Sequence, residues 1–268
     1  MKKLNLHNKM VIVTGASSGI GYEISKYLIE NFSVTVIGIA RNVANLNRVS
    51  REFNGKFIPF AVNVAQKSSW EKITAFLSKN HYDIYGIVNS AGVLPEFLPF
   101  SKSSSESLVK IFQINFYSMV YSAEYILPLI RKNSGFMVNI SSSSALCPFI
   151  GVTSYTASKS AVERFSEALS YEEKSVNVVT VMPGFTKSNI MRSQNAEDKD
   201  IALINKISKS PKKVAKKIIK KAVNGRRRII VGLDAHMMNF LYKFFPSLAP
   251  KIIGAVLKKS KLKIFKNI

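Results

Sequence analysis

The chain has 268 residues, of which 47% are hydrophobic and 21% charged, a composition that excludes a disordered chain and a length that can bury a core without covalent staples. Its single cysteine, Cys147, excludes an internal disulfide and a Cys-based zinc site, and His7, His81 and His236 lie too far apart to offer metal-ligand spacing, so no metal is expected. The net charge of +23 is unevenly placed: Lys206 to Ile268 holds 18 Lys and Arg against one acid, Asp234, which points to an anionic partner surface or to a solvated lysine-rich face.

The N-terminal MKKLNLHNK is basic but runs straight into VIVTGASSG, without the apolar region or cleavage site of a secretory signal. Met10 to Thr14 (MVIVT) is a continuous apolar run ending in glycine and predicts a strand buried on both faces. Gly19 to Asn31 follows as a helix, with Ile20, Ile24, Tyr27 and Leu28 at helical spacing. Val34 to Ala40 is a second buried strand, Val43 to Phe53 a polar helix, and Phe57 to Val62 a third strand. Ser69 to Lys79 is helical, Ile84 to Val88 a fourth strand, Ser104 to Arg131 one long helix, and Phe136 to Ile140 a fifth strand. Ser154 to Glu173 is helical, Val176 to Val181 a sixth strand, Lys212 to Asn224 a basic helix, and Arg228 to Val231 a seventh strand.

Apolar strands alternating with helices predict an α/β fold, a doubly wound parallel sheet with helices on both faces. Residues 1–232 read as one catalytic domain and residues 233–268 as a basic amphipathic extension. The polar stretch Thr186 to Ser210 falls where ligands bind such a sheet, and reads as a substrate lid or a long surface loop.

Between the first strand and first helix stands Thr14-Gly15-Ala16-Ser17-Ser18-Gly19-Ile20-Gly21. Gly15 permits a tight turn, Gly19 lets backbone approach a pyrophosphate, and Gly21 lets helix and strand pack closely, while the helix N-terminus offers free N–H groups. The Gly-x3-Gly-x-Gly spacing resembles the short-chain dehydrogenase/reductase family. Further matches follow in order: Asn89-Ser90-Ala91-Gly92 after the fourth strand, Asn115 in the long helix, Ser142 thirteen residues before Tyr155, Lys159 four after it, and Pro183-Gly184 after the sixth strand. The resemblance covers roughly residues 8 to 232 and implies a Rossmann-type fold. Two positions depart from the pattern: Ser90 replaces the second Asn of Asn-Asn-Ala-Gly, and Asn63-Val64 replaces the usual Asp-Val whose acid accepts a bond from adenine. An Asn carbonyl can still accept that bond.

Tyr155 and Lys159 sit at i and i+4, on one helix face. A nearby ammonium together with the positive nicotinamide ring should lower the phenol's pKa and let Tyr155 exchange a proton with an alcohol or carbonyl oxygen. The resemblance further implies that Lys159 holds the nicotinamide ribose, that Ser142 stabilises charge on the substrate oxygen, and that Asn115 positions a proton-relaying water. Ser141, Ser143 and Ser144 adjoin Ser142, and the thirteen-residue spacing selects among them. Cys147, in the same loop, reads as a small buried filler.

The second strand ends Ile39-Ala40-Arg41-Asn42, without the acid that NAD selection needs, and Arg41 can grip a 2′-phosphate, so NADP(H) is expected over NAD(H). The expected cofactor contacts are Gly15, Ser17, Ser18, Gly19, Ile20 and Gly21 at the first turn, then Arg41, Asn63 and Val64. Asn89, Ala91, Gly92, Tyr155 and Lys159 follow, with Pro183, Gly184, Thr186 and Ser188 near the carboxamide.

Val214, Ala215, Ile218, Ile219 and Ala222 share one face of the basic helix, which predicts packing on the sheet with lysines outward. Met237 to Leu257 is rich in aromatics but broken by Lys243, Pro246, Pro250 and Lys251, so it reads as helical pieces and not as a transmembrane span. Such pieces suit an anionic membrane surface, a cover over the substrate pocket or an oligomer contact, and the clustering of aromatics with aliphatics disfavours nucleic acid. The expected activity is NADP(H)-dependent hydride transfer to or from a carbonyl or alcohol of an apolar, lipid-like small molecule. The alternatives are a 3-oxoacyl-thioester reductase served by an acidic carrier protein, and a non-catalytic NADP-binding regulator. A homo-oligomer (dimer or tetramer) in the cytoplasm, peripheral to the inner face of a membrane, completes the expectation.

Overall fold

The structure is a computed structural model and describes residues 3–187, 208–260 and 262–266. Seven parallel strands form one sheet in the order β3-β2-β1-β4-β5-β6-β7. They are β1 (Met10–Thr14), β2 (Thr35–Ala40), β3 (Phe57–Ala61), β4 (Ile84–Asn89), β5 (Phe136–Ile140), β6 (Asn177–Pro183) and β7 (Arg228–Val231). Helices α1 (Gly19–Phe32), α2 (Val43–Glu52), α3 (Lys67–Lys79), α4 (Ser105–Phe112) and α5 (Ser118–Arg131) connect the first five strands. The later connections carry the short α6 (Ser143–Leu146), α7 (Thr153–Glu172) and α8 (Pro211–Val223); α9 (Leu233–Phe244) and α10 (Ala249–Lys259) follow β7, and then a 3-10 turn at Lys263–Phe265.

The period of two along each strand feeds two cores. Val11 and Val13 of β1, Val36 of β2 and Phe136 and Val138 of β5 face the layer of α1, α2 and α8. Ile12, Ile37, Ile39 and Met137 face the layer of α3 and α5, where Trp70 is fully buried and donates its indole N–H to the Val64 carbonyl at 2.9 Å. With both faces covered there is no polar face to alternate with, hence the unbroken apolar strands. In α8, Val214, Ala215, Ile218, Ile219 and Ala222 are buried in the first core, and Lys212, Lys213, Lys216, Lys217 and Lys220 are exposed. Each buried Ile or Val of that stripe is worth about 1.5–3 kcal/mol.

The single helix expected from Ser104 to Arg131 is interrupted. A π-helical turn, Gln113–Tyr117, separates α4 from α5, and Asn115 lies within it. The strand order reverses between β1 and β4, and the crevice over their carboxyl ends is where a doubly wound sheet binds its ligands.

Candidate active site

A cavity of about 400 Å³ opens over that edge. The glycine turn forms one end of it, through Gly15, Ser18, Gly19, Ile20 and Gly21. Gly15 has φ +66°, and a Cβ there would stand 3.1 Å from the Ala91 backbone; a Cβ on Gly21 would stand 2.4 Å from the Gly15 carbonyl oxygen. The turn is therefore built against its neighbours as closely as backbone can go. Ser18, the N-cap of α1, makes no side-chain cap bond, and the first turn carries no acid. Its N–H groups thus face the cavity edge with neither a side-chain cap nor a competing carboxylate, which fits a pyrophosphate. Thr14 Oγ1 accepts from the amides of Ser90 (3.0 Å) and Ala91 (3.1 Å), tying this turn to the loop after β4.

Tyr155 and Lys159 project from the first turns of α7 into the same cavity as Ser142. Tyr155 is half-buried and Lys159 buried. The Lys159 ammonium donates to the Ile140 carbonyl at 2.9 Å and lies 5.9 Å from the Tyr155 ring centre. Burial pushes the Tyr155 phenol above its ordinary value, with Ser142 acting weakly the other way, and pushes Lys159 down to about 8. In the chain by itself desolvation dominates both groups: it favours the neutral phenol and makes Lys159 easier to deprotonate, while Lys159 still holds its proton below about pH 8.

Hydrogen bonds and position distinguish three of the four serines, while Ser143 lines the cavity beside Ser142. Ser141 donates to the Lys159 carbonyl at 2.7 Å and is committed there. Ser142 accepts from the Ser144 amide at 3.1 Å as the N-cap of α6. Its own hydroxyl proton can go to the Tyr155 oxygen, whose pKa it lowers, or to another oxygen in the cavity. Ser144 is buried away from the cavity lining. Asn115 is clamped: its Oδ1 accepts from the Val93 amide (2.8 Å), and its Nδ2 donates to the Val93 carbonyl (3.0 Å) and to Ser158 Oγ (3.1 Å). A Cβ on Gly92 would lie 3.2 Å from Asn115 Oδ1 and 3.4 Å from Lys159 Nζ, so these three residues converge.

Other expected contacts stand apart from the lining. Asn89 donates to Asn139 Oδ1 at 2.8 Å, and Asn139 donates to Ser166 Oγ at 2.9 Å, so Asn89 braces β4 against β5 and α7. Ser17, Arg41, Asn63 and Val64 do not line the cavity. Arg41 is exposed just past β2, Asn63 Oδ1 accepts from the Ala65 amide, and Val64 is buried in the second core. Ala91, Gly92, Pro183, Gly184 and Thr186 do line it, and Ser188 falls outside the described residues, as does most of the expected lid.

The sequence reading missed the apolar wall. Phe97, Phe149 and Phe185 line the cavity, with Phe149 and Phe185 stacked at 5.9 Å. Asp234 was also missed. Its Oδ2 accepts from the Phe185 amide at 2.7 Å, and a Cβ on Gly184 would collide with it at 2.1 Å. The signal for it was its position as the one acid in a basic segment.

The family model described as short chain dehydrogenase matches residues 9–199. The benzil reductase ((S)-benzoin forming) of Saccharomyces cerevisiae is 31% identical over 194 residues, spanning 69% of this chain and 74% of the relative. Estradiol 17-beta-dehydrogenase 2 of Rattus norvegicus is 29% identical over 206 residues, spanning 73% of this chain and 53% of that protein. The crystal structure of a Burkholderia phymatum short chain dehydrogenase/reductase in complex with NAD superimposes with TM-score 0.83 at 17% identity, covering 91% of this chain and 96% of that one.

Proposed function

The chain belongs to the short-chain dehydrogenase/reductase family, and from that premise we propose that it is an NADP(H)-dependent oxidoreductase acting on a carbonyl or alcohol of an apolar small molecule. The observation that carries this reading is the convergence of Ser142, Tyr155 and Lys159 on the cavity whose far end is the Gly15–Gly21 turn.

The backbone amides at the start of α1 hold the pyrophosphate, and Lys159 holds the nicotinamide ribose. A nicotinamide held there would supply or take up the hydride, and its oxidised form would add a positive charge that favours the phenolate. Ser142 donates its hydroxyl proton to the substrate oxygen and steadies charge that develops there. Tyr155 passes a proton to that oxygen in reduction and takes it back in oxidation. Lys159, at about 8, gives and takes protons near neutral pH and restores Tyr155. Asn115, fixed by Val93 and Ser158, orders the surroundings of Lys159 for that relay.

Arg41 favours NADP(H): it is exposed at the end of β2, where no acid stands, and its guanidinium can pair bidentately with a 2′-phosphate. The substrate is apolar because Phe97, Phe149 and Phe185 wall the cavity. Benzil and estradiol, named for two relatives, are apolar ring compounds of that kind.

The test uses benzil as the probe carbonyl and follows NADPH absorbance. The wild type should prefer NADPH to NADH by roughly tenfold or more in kcat/KM, and Arg41→Asp should erase the preference. Tyr155→Phe should bind NADPH normally and lose turnover. Full turnover in Tyr155→Phe would overturn the acid/base assignment, and an NADH preference in the wild type would overturn that of Arg41.

A further inference from the structure

The two C-terminal helices carry an apolar surface that the fold leaves unused. Met238 and Leu241 of α9, with Ala249, Ile253 and Leu257 of α10, join the cluster of Phe97, Phe149, Phe185 and Tyr155 that walls the cavity. On the side of α9 turned from this cluster, Leu233, Met237, Phe240 and Phe244 fall on one line at spacings of three and four. Leu248, Ile252 and Val256 form a second line along α10, with Phe245 at the turn between the helices. These eight side chains are 39–81% exposed. An apolar patch of this size on a folded chain marks a contact surface.

Its border is basic. Lys243, Lys251, Lys258 and Lys259 are exposed on the same two helices. The one acid of the quarter, Asp234, accepts the Phe185 amide. Two copies of this face would set like charges against each other, and a nucleic acid would leave the apolar lines in water. Anionic lipid satisfies both halves, since apolar side chains enter the acyl boundary while ammonium groups meet head groups. Among the described residues no helix is long and apolar enough to cross a membrane, so the contact lies in the plane of the surface.

We propose that α9 and α10 form a docking face for an anionic membrane surface. The layer that walls the active-site cavity on its inner side thereby rests on lipid with its outer side. Delivery of an apolar substrate out of the bilayer follows from this only together with the oxidoreductase reading above; the docking itself does not depend on it.

The experiment sediments the full chain with vesicles of phosphatidylglycerol or of phosphatidylcholine, at low and high salt. The wild type should pellet with the anionic vesicles at low salt and stay in solution with the neutral ones. Phe240→Ser with Phe244→Ser should lose this binding while keeping its melting temperature and its NADPH-dependent turnover of a water-soluble carbonyl. Lys251→Gln with Lys258→Gln should weaken binding by about fivefold for each lysine. A wild type that stays in solution, or double variants that pellet like it, overturns the proposal. So does a wild-type dimer that the phenylalanine variant converts to monomers without any vesicle binding, since a second copy would then own the face. Sedimentation is read without catalysis, so an inactive protein that pellets refutes the oxidoreductase reading alone.

Discussion

Lys159 couples the chemistry of the site to the stability of the fold. Burial takes its pKa from 10.5 to about 8. Below about pH 8 the folded and unfolded chains both hold the proton, and the folded state bears the full cost of a desolvated ammonium. As pH rises past about 8 the folded chain releases the proton, while the unfolded chain keeps it up to about 10.5. In that window the unfolded state binds more protons, so stability rises with pH. The whole shift is worth about 3 kcal/mol. Two neighbours act in the opposite sense. Cys147, raised from 9.0 to about 11, and Tyr155, raised by burial, each cost stability as pH climbs through their unfolded values. Both persist in Lys159→Met, so they cancel in the difference between wild type and variant. Urea unfolding without cofactor, followed by the fluorescence of the chain's one tryptophan, the fully buried Trp70, measures that difference. Wild type should gain on the variant by about 2 kcal/mol between roughly pH 7 and 9.5. The offset at neutral pH is not diagnostic, because the variant also abandons the Ile140 carbonyl, at a cost of about 1–3 kcal/mol. A difference that stays flat across the window would refute a buried, charged Lys159.

Gly21→Ala puts a Cβ 2.4 Å from the Gly15 carbonyl oxygen; it should cost about 1–3 kcal/mol by thermal melting and abolish NADPH binding in a fluorescence titration, and an unchanged melting temperature would contradict the packing. Cys147 is buried, with its thiol pushed up to about 11, so a thiol reagent at mildly alkaline pH should label the native chain about a hundredfold more slowly than the urea-unfolded one, whereas equal rates would mark an open thiol. Asp234→Ala frees the Phe185 amide and should raise KM for NADPH by about tenfold, with Asp234→Asn, which keeps an acceptor, restoring most of it; no change in either variant would remove Asp234 from the positioning of that loop.

Much of the fold is legible because its signals are local. β1, β5 and β7 begin and end where the sequence places them, since glycine, serine or a basic residue bounds their apolar runs. Other element ends shift by a residue or two, as fraying termini do. The π turn at Gln113–Tyr117 leaves no trace in the hydrophobic period, and α6 spans only Ser143–Leu146, too little to show one. In the site, Tyr155 and Lys159 are readable because their spacing falls in order with the glycine turn, Asn89-Ser90-Ala91-Gly92, Asn115, Ser142 and Pro183-Gly184; the i, i+4 spacing by itself is too common to single them out. The bond from Asn89 to Asn139 is not legible, because the two are 50 residues apart and only the sheet brings them together. Phe97, Phe149 and Phe185 come from three separate loops, where no period operates. The pKa directions depended on burial, which neither spacing nor composition reveals.

The hydrogen bonds divide the cavity into a fixed floor and a softer wall. Thr14 holds the loop after β4 by two amides, Asn115 holds Val93 by both its amide and carbonyl, and Asn89, Asn139 and Ser166 form a buried chain across β4, β5 and α7. Each bond joins elements that meet only in the finished fold, so the glycine turn, the loop after β4 and the π turn at Asn115 are placed by the core itself. The wall of Phe97, Phe149 and Phe185 is packed instead against α9 and α10 by apolar contact, with Asp234 to Phe185 as the polar anchor recorded at that seam. Apolar contacts are non-directional and repack at lower cost than a satisfied polar network. The sheet edge under the cavity is therefore held by polar bonds, while the apolar wall rests on the C-terminal helices, the same elements whose outer face is apolar and basic.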